Sequence, residues 1–364
     1  MPERTPSPRT SLYGLAAMIG DGRIRVRKAR VTVKDLARDL SLSTSTISRA
    51  FYSDAVIAPS TRTAVLTRAA EIGYAPNPLA RSLITKRTRI AGVVTSDINN
   101  PFYPEVLTRL TERLREIDLN VMLTAAGSSD SLDDAVKLLL SYQPDVVIVL
   151  AATLSSEAAE ACGEAGTPVI FFNRRPLNVD AYGVTCDNVG GGRLVADHLI
   201  KLGHRRLAFV AGRPDASTNV ERWEGYRGGC LDHGLKEPIC IEAGAFAYER
   251  GYEAASRLLA SHSRPDGVFC ANDILAIGFM DAARREFGLD IPGDLSVVGF
   301  DDIAMARWPS HALTTVRQPV GKMIDVTMEL IGMLFGSAQL EPRIERLPGE
   351  LIERASTREV SHVE

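Results

Sequence analysis

From residue 89 onward, short apolar runs alternate with longer segments that have helical spacing. Eight such runs lie between residues 90 and 302: IAGVV, VMLTAA, DVVIVL, PVIFF, YGVTC, RLAFVAG, GVFCAND and LSVVGFDD. An apolar run without polar alternation predicts a strand buried on both faces, and helices between such strands predict parallel pairing. We therefore expect parallel sheets with helices on both faces.

Some 270 residues are too many for one such sheet, so we expect two α/β subdomains side by side. The expected helices lie near 103–118, 131–142, 155–165, 190–202, 220–233, 249–261, 274–287 and 321–335.

Composition excludes several classes of protein. No apolar run approaches the roughly 20 residues that span a bilayer, and no secretory signal is visible. The cysteines are odd in number and widely spaced without a C-x-x-C pair, which indicates reduced thiols in a cytoplasmic protein: Cys162, Cys186, Cys230, Cys240 and Cys270. The six histidines lack ligand spacing, so we expect no metal and no cofactor.

The net charge of −3 conceals a strong asymmetry along the chain. Residues 23–89 contain fourteen basic and four acidic side chains, a net charge of +10, whereas residues 90–364 carry −13. A basic head on an acidic body predicts an anionic partner for the head alone, although a solvated charged surface is the simpler alternative.

The pattern inside the basic head predicts three short helices. Thr32 can cap the first helix with Asp35 in its first turn, and Ser43 can cap a second. A third helix runs from Pro59, suited to a first helical position, to Gly73, suited to the C-terminal cap. Its expected buried side contains Val65, Leu66, Ala69 and Ile72.

Two short helices joined by a tight turn and braced by a third form a helix-turn-helix, whose second helix enters the major groove of DNA. The second helix lies in LSTSTISRAF, residues 42–51, where Ile47, Ala50 and Phe51 face inward. Its outer hydroxyls and arginine suit phosphates and base edges: Thr44, Ser45, Thr46 and Arg49. A three-helix packing unit with incidental hydroxyls is the alternative.

The segment that follows, residues 77–88, suits a helix of barely two turns after the Asn77 cap. Such a helix is marginal in isolation and would form only when held, which makes it a candidate order–disorder switch. We expect Leu83 to project from it, either as an apolar wedge between base steps in the minor groove or as a linker residue packed on the body.

Three segments in order, VTVKDLARDLSLSTSTISRAF, IGYAPNPLARSL and RIAGVVTSDINNPFYPEVL, resemble the lactose-repressor-like (LacI/GalR) family of bacterial transcription regulators. The resemblance runs from Val31 to about Arg354. It implies base-reading positions at Thr44, Ser45 and Arg49, a hinge helix that contains Arg81, and a hinge leucine at Leu83. It also implies a homodimer on a palindromic operator.

In the body, the resemblance implies a periplasmic-binding-protein-like fold whose chain crosses between subdomains three times. We expect these crossings near Asp187-Asn188, Asp301-Asp302 and Val316-Gln318. The implied small-molecule effector, a sugar or sugar derivative, occupies the cleft between the subdomains.

Ligands of open α/β sheets bind beyond the carboxyl ends of the strands, so residues just after strands are the candidate contacts. The family's effector contacts map onto Phe102, Tyr103, Thr218, Arg222, Phe246 and Asp273, and position alone adds Asn173. An aspartate and an arginine can share a ligand's hydroxyls while aromatic faces cover its apolar side, a combination that suits saccharide-like or nucleobase-like ligands.

The sequence thus predicts a ligand-responsive repressor with four regions. They are a disordered extension (1–30), a helix-turn-helix domain (31–76), a hinge (77–88) and an effector-binding and dimerisation body (89–364). We expect a cytoplasmic, nucleoid-associated protein. A solute-binding protein of a transport system would explain the body but not the basic head. No catalytic constellation is visible, and GFDD suggests a strand end with a crossover rather than paired catalytic carboxylates.

Overall fold

The computed structural model describes residues 31–52, 55–77, 82, 87–125, 132–150, 156–176, 180–261, 264–336 and 341–358. The chain divides into two compact units, Met1–Ile84 and Thr85–Glu364. The predictions for residues 1–30 and for the hinge residues Arg81 and Leu83 lie outside the described residues.

The first unit contains three helices, α1 (Val33–Leu40), α2 (Thr44–Ala50) and α3 (Pro59–Ile72). Thr32 and Asp35 form a reciprocal capping box at α1, and the Ser43 hydroxyl accepts from the Thr46 amide at α2. Helix α3 has no side-chain cap at its N-terminus and ends at Gly73, whose φ of 69° is left-handed. The capping residues therefore set these helix ends as the sequence predicts.

A small core joins the three helices. Leu36, Ile47 and Val65 are fully buried, one from each helix. The expectation that Leu66 is also buried was wrong, since 42% of it is exposed. Leu66 lies about 100° around the helix from Val65, and the two short partner helices cover only one narrow face of α3. The predicted helix-turn-helix architecture is confirmed.

The second unit contains twelve strands and eight α-helices among the described residues. The strands are β1 (Ile90–Thr95), β2 (Asn120–Ala125), β3 (Val146–Leu150), β4 (Val169–Phe172), β5 (Tyr182–Cys186), β6 (Leu207–Ala211), β7 (Ile239–Glu242), β8 (Gly267–Cys270), β9 (Ser296–Asp301), β10 (Thr314–Arg317), β11 (Ile344–Leu347) and β12 (Glu350–Ile352). The helices are α4 (Phe102–Glu116), α5 (Leu132–Leu140), α6 (Ser156–Glu164), α7 (Asn188–Lys201), α8 (Ser217–Asp232), α9 (Tyr248–Leu259), α10 (Asp273–Phe287) and α11 (Val320–Phe335).

These strands form two six-stranded sheets, in the orders β11-β5-β4-β3-β1-β2 and β12-β10-β9-β8-β6-β7. We call the first sheet with its helices the first lobe, and the second sheet with its helices the second lobe. Pairing is parallel throughout except between β10 and β12. The two predicted α/β subdomains are confirmed, while β7, β10, β11 and β12 were not expected as strands.

Strand β2 departs from the expected burial on both faces. It forms the edge of the first lobe's sheet, and Leu123 within it is 46% exposed. An edge strand has a neighbour on one side only, so its apolar composition does not ensure burial.

The chain crosses between the lobes three times, but one expected crossing was wrong. Crossings follow β5 at Asp187, β10 at Gln318 and β11 at Pro348. No crossing occurs at Asp301-Asp302, because β9 and β10 pair in the same sheet. The three crossings converge at Gly349, where an added Cβ would lie 2.7 Å from Val316 Cγ1 and 3.2 Å from Cys186 Sγ.

Candidate functional site

The outer face of α2 presents polar side chains to solvent. Thr44, Ser45 and Arg49 are exposed, while Thr46 is partly exposed. Within the described residues, the Arg49 guanidinium forms no ion pair or hydrogen bond. This face therefore has donors and acceptors available for a partner, as the sequence predicts for a base-reading helix.

The hydroxyls at the start of α2 are ordered by their neighbours. The Ser43 hydroxyl lies 2.8 Å from both the Ser45 hydroxyl and the Thr46 hydroxyl. The Ser48 hydroxyl donates to the Thr44 carbonyl at 2.9 Å. These bonds hold the N-terminal turn of α2 in one arrangement, which is the end that enters the groove in a helix-turn-helix.

A pocket in the second unit lies at the carboxyl ends of strands from both sheets. It encloses about 180 Å³, part of it open to solvent. The first lobe lines it with residues that follow β1 and β4, and the second lobe with residues that end or follow β6, β7, β8 and β9. The lining residues are Asn100, Tyr103, Asn173, Arg174, Thr218, Arg222, Phe246, Asn272 and Asp301. Ligands of open α/β sheets bind beyond the carboxyl ends of the strands, so the pocket lies where a ligand is expected.

Arg222 and Asp301 form a buried ion pair in the second lobe. Their side chains are 2% and 4% exposed, and Arg222 Nη2 lies 3.3 Å from Asp301 Oδ1. Arg222 also donates to Asn188 Oδ1 at 2.9 Å, and its guanidinium stacks 3.6 Å from the centroid of the Phe300 ring. The Gln318 amide donates to Asp301 at 2.8 Å.

Burial and the charge of the partner shift the pKa of each group of this pair in opposite directions. Burial raises the pKa of the Asp301 carboxyl, and the Arg222 charge opposes that rise. Burial lowers the pKa of Arg222, and Asp301 opposes that fall. Either group alone would be an uncompensated buried charge, so each holds the other in the pocket wall.

Asn173 and Tyr103 form the polar wall of the first lobe. Asn173 Nδ2 donates to the Tyr103 hydroxyl at 3.0 Å, and burial raises the pKa of Tyr103 to about 12. Asn173 has a φ of 69° and Asp301 one of 117°, so both pocket residues have strained backbones. Over the described part of the chain, Asn173 Oδ1 and Asn272 Nδ2 are buried without a hydrogen-bond partner. Buried polar atoms of this kind suit bonds to a ligand.

Arg174 and Phe246 meet across the pocket. The Arg174 guanidinium lies 4.7 Å from the centroid of Phe246 and 5.9 Å from that of Tyr103. Its Nη2 lies 3.2 Å from Asp97 Oδ2 at the rim. Gly212 makes room for Phe246, because a Cβ there would come within 2.3 Å of the aromatic ring.

The two lobes are also joined beside the pocket. The Arg175 amide donates to the Ser217 hydroxyl at 3.1 Å, and Arg175 Nη2 lies 2.6 Å from Glu221 Oε1. Asn188 Nδ2 donates to the other oxygen of Glu221 at 3.1 Å. These hydrogen bonds and this ion pair hold the two lobes together beside the pocket.

Five of the seven residues predicted to contact an effector line the pocket: Tyr103, Asn173, Thr218, Arg222 and Phe246. The structure does not bring Phe102 or Asp273 to it. Phe102, the first residue of α4, packs edge-to-face on Tyr103 with centroids 5.3 Å apart.

Asp273 turns into the sheet instead of the pocket. Its carboxylate accepts from the Thr315 hydroxyl at 2.5 Å and from the Ile303 amide at 2.9 Å. Burial and the nearby charge of Asp301 raise the pKa of Asp273 well above its ordinary value. Asp273 therefore braces the strand ends that position Asp301.

Sequence reasoning missed four lining residues: Asn100, Arg174, Asn272 and Asp301. Two of them directly neighbour predicted residues, Arg174 beside Asn173 and Asn272 beside Asp273. Asp301 ends β9 in GFDD, where the predicted strand end is confirmed and the predicted crossover was wrong. All three residues lie at or just after a strand end, which is where the sequence predicts ligand contacts. Which of two adjacent residues faces the pocket depends on the exact register of the strands, and the sequence does not give that register.

The described residues show neither a metal-binding cluster nor a membrane-spanning helix. They contain no cluster of three histidine, cysteine, aspartate or glutamate side chains placed to hold a metal ion. Among them, no helix combines the length and apolarity needed to cross a membrane.

A helix-turn-helix unit combined with a two-lobed α/β unit that has a polar cleft pocket defines the class of ligand-responsive transcription regulators. Residues 196–357 match the family model described as a periplasmic binding protein-like domain. Catabolite control protein A of Priestia megaterium is 30% identical over 334 residues, 90% of this chain and 99% of that protein.

Solved structures agree. The lac repressor dimer bound to operator and the anti-inducer ONPF has a TM-score of 0.81 and 25% identity, over 90% of this chain and 99% of that one. The CelR–cellobiose complex has a TM-score of 0.68 and 30% identity, over 90% and 100%. The chain belongs to the LacI/GalR family of transcription regulators. It is therefore a regulator rather than an enzyme or a transport solute-binding protein.

Proposed function

We propose that the chain is a repressor that binds a palindromic operator as a homodimer, controlled by a small polar effector in the pocket. A sugar or sugar derivative is the proposed effector class. The observation that carries the proposal is the pocket itself, in which a buried arginine–aspartate pair and two unsatisfied amides face a small cavity beside aromatic rings. Fixed polar groups beside aromatic faces suit small polar ligands in general, and the cellobiose and ribose complexes of similar regulators favour a sugar.

The proposed DNA contacts divide into two sets. Thr44, Ser45, Thr46 and Arg49 on α2 read the major groove, supported by their exposure. Arg81 and Leu83 act in the hinge, with Leu83 as the minor-groove wedge, and these two are proposed from the sequence alone.

The proposed effector contacts are the pocket-lining side chains, with Asn272 and Asp301 in place of Asp273 and Phe102. Asp301 also accepts from Gln318, which lies at the second crossing between the lobes. A ligand that bonds Asp301 would therefore act directly on a crossing. Effector binding shifts the equilibrium between lobe arrangements, and this shift changes the order of residues 77–88 and the affinity for DNA.

The proposed organisation keeps the predicted boundaries, with a helix-turn-helix domain at 31–76, a hinge at 77–88 and the body at 89–364. The proposed location is the cytoplasm, at the nucleoid. The lac repressor and CelR structures, one on operator and one with cellobiose, support the proposal by analogy.

The experiment that tests this proposal measures DNA affinity with and without ligand. Operator sequences are selected from random duplex DNA, and fluorescence anisotropy then measures affinity in the presence of sugars and sugar derivatives. We expect a palindromic selected site, and a ligand that changes its affinity in wild-type protein but not in an Asp301→Asn variant. Selection of no specific sequence would refute the proposal for the head. A ligand response equal in both proteins would refute the pocket assignment.

A further inference from the structure

Resting on the proposed function, we infer that Glu221 is a positioning residue that couples the contact between the two lobes to the buried arginine of the pocket. Glu221 does not line the pocket, but it directly precedes Arg222 in α8, and its side chain is 8% exposed. Its two carboxylate oxygens bond to different parts of the second unit. One accepts from the first lobe, and the other accepts from the first crossing between the lobes.

The first oxygen binds a residue of the opposite lobe. Arg175 follows β4 and donates from Nη2 to Glu221 Oε1 at 2.6 Å. The Arg175 backbone amide donates to the Ser217 hydroxyl at 3.1 Å, so one residue of the first lobe is attached twice to the start of α8. The Arg175 side chain is 17% exposed, and solvent screens a largely buried pair less than an exposed one. We call the lobe arrangement that contains both contacts the joined arrangement.

The second oxygen binds the residue at the first crossing. Glu221 Oε2 accepts from Asn188 Nδ2 at 3.1 Å, and Asn188 is 1% exposed at the start of α7. The same amide nitrogen lies 3.1 Å from the Thr185 hydroxyl and 3.0 Å from the Cys186 carbonyl oxygen. Because all three partners can accept a hydrogen bond, they fix which end of the Asn188 amide is the nitrogen and which is the oxygen.

The fixed amide of Asn188 serves the pocket. Its Oδ1 accepts from Arg222 Nε at 2.9 Å, and Arg222 Nη2 lies 3.3 Å from Asp301 Oδ1. These contacts continue the one between the lobes, and together they form a polar chain from the first lobe to the pocket wall: Arg175, Glu221, Asn188, Arg222 and Asp301. Buried polar groups in one network polarise and orient one another, so we expect a change at one end to reach the other.

Separation of the lobes would remove Arg175 from the polar chain. The Glu221 carboxylate would lose its ionic partner and keep only Asn188, and a buried carboxylate without its ionic partner is unfavourable. The pair therefore favours the joined arrangement, in which Asn188 holds Arg222. A ligand that bonds Arg222 or Asp301 acts on the same polar chain, so ligand binding and the contact between the lobes stabilise each other.

The test uses variants that remove one charge and keep a hydrogen-bonding side chain. They are Glu221→Gln, Arg175→Gln and the double variant. The matched control changes both members of the Arg227–Glu237 pair to glutamine. Arg227 is also in α8, but this pair lies within the second lobe and its side chains are 44% and 56% exposed.

Hydrogen exchange is measured by nuclear magnetic resonance on the full chain without DNA or ligand. The Arg175 backbone amide reports the contact between the lobes, and the Arg222 Nε–H reports the far end of the polar chain. Each single variant should speed exchange of both protons about fivefold or more, because the joined arrangement opens more often. The double variant should match the single ones, since members of one network are not additive. The control should leave both rates within about twofold of the wild type, because exposed pairs contribute little.

Two results would overturn the inference. Unchanged exchange of the Arg175 amide in Glu221→Gln would show that the pair does not hold the lobes together. Faster exchange of that amide with an unchanged Arg222 Nε–H would show that Glu221 is a local contact without effect on the pocket. Both measurements are independent of operator and effector. A wild type that binds no specific operator therefore counts against the proposed function alone.

The consequence for regulation is measured as operator affinity with ribose and with cellobiose as probes. A probe that changes the operator affinity of the wild type should change that of Glu221→Gln at least about threefold less, because the coupling between ligand and lobes is reduced. The Arg227–Glu237 control should respond as the wild type does. An equal response in Glu221→Gln would overturn the coupling. A wild type that responds to neither probe counts against the proposed effector class, and the exchange rates then decide the inference.

Discussion

Arg49 and Arg222 show how differently the two units of the molecule treat their polar side chains. Arg49 is exposed on α2, and its guanidinium has no hydrogen-bond or ion-pair partner within the described chain. Arg222 is 2% exposed and bonds to Asn188, the Ala271 carbonyl and Asp301. The exposed arginine of α2 keeps its donors for a partner, while the buried arginine of the second unit is already bonded into the wall of a pocket.

This contrast separates function from stability in the first unit and couples them in the second. An exposed arginine contributes little to folding, so its loss affects partner binding alone. A buried, fully bonded arginine stabilises the wall that a ligand contacts, so its loss affects both. Substitutions in the two units should therefore give different combinations of unfolding and binding effects.

The largest effect is expected for Arg222→Ala. It leaves Asp301 as an unpaired buried charge and should lower the free energy of unfolding by about 3–5 kcal/mol. Urea denaturation followed by circular dichroism measures the change, with the exposed Arg227→Ala as the matched control at less than about 0.5 kcal/mol. Equal free energies of unfolding for Arg222→Ala and Arg227→Ala would show that the buried arginine does not stabilise the second unit.

Arg49→Ala should have the opposite profile. Loss of a base-reading arginine should cost about 1–3 kcal/mol of discrimination between operator and altered sites, since bidentate base contacts have that magnitude. Its free energy of unfolding should stay within about 0.5 kcal/mol of wild type. Anisotropy titrations on the selected operator and single-base variants measure the first, and urea denaturation the second. An unchanged order of preference among sites would remove Arg49 from the base-reading set.

Gly349→Ala tests whether the second unit is packed as tightly at the three crossings between its lobes as it is around the pocket. Its Cβ would lie 2.7 Å from Val316 Cγ1 and 3.2 Å from the Arg317 carbonyl oxygen, so we expect a loss of about 1–2 kcal/mol from overpacking. Gly228→Ala is the comparison for an added methyl in open space, because a Cβ there meets nothing within 4 Å; since Gly228 lies inside α8, this variant should be stabilised by about 0.5–1 kcal/mol. Matching melting temperatures for the two variants would show that the crossings have room to adjust.

Ala58→Ser should give the smallest effect, a stabilisation confined to the first unit. Helix α3 begins after Ala58 without a side-chain cap, and a serine there should add about 0.5–1 kcal/mol. Hydrogen exchange of the α3 backbone amides, measured in the full chain, reports this local change in stability. Slower exchange in α3 with unchanged operator affinity is the expected result, and faster exchange would contradict the capping argument.

Local signals predicted most of the fold. Thr32, Ser43 and Gly73 set helix ends through their own caps, and the apolar runs from β1 to β9 identified most strands. Some missed strands are short and largely exposed, as is β7, and others depend on a distant partner, as β12 does on β10. Their formation depends on pairing that no local pattern contains.

The pocket was predicted to the right strand ends but not always to the right residue. Asp273 and Asn272 are adjacent, yet the first bonds Thr315 inside the sheet and the second faces the cavity. Glycine at position 299 leaves room for the Asp273 carboxylate inside the sheet, because a Cβ there would lie 2.1 Å from Asp273 Oδ1. That contact joins residues far apart in the chain, so sequence spacing alone could not distinguish the two side chains.

The outer strands β11 and β12 have a consequence for how the protein is made. Each sheet takes one edge strand from residues 344–352, which leave the ribosome after every other strand of both lobes. Neither lobe can therefore complete its sheet until residues 344–352 have been made, and both sheets are completed by the same short segment. A ribosome stalled before residue 344 would hold a chain with two unfinished sheets, both exposing a strand edge to chaperones and proteases.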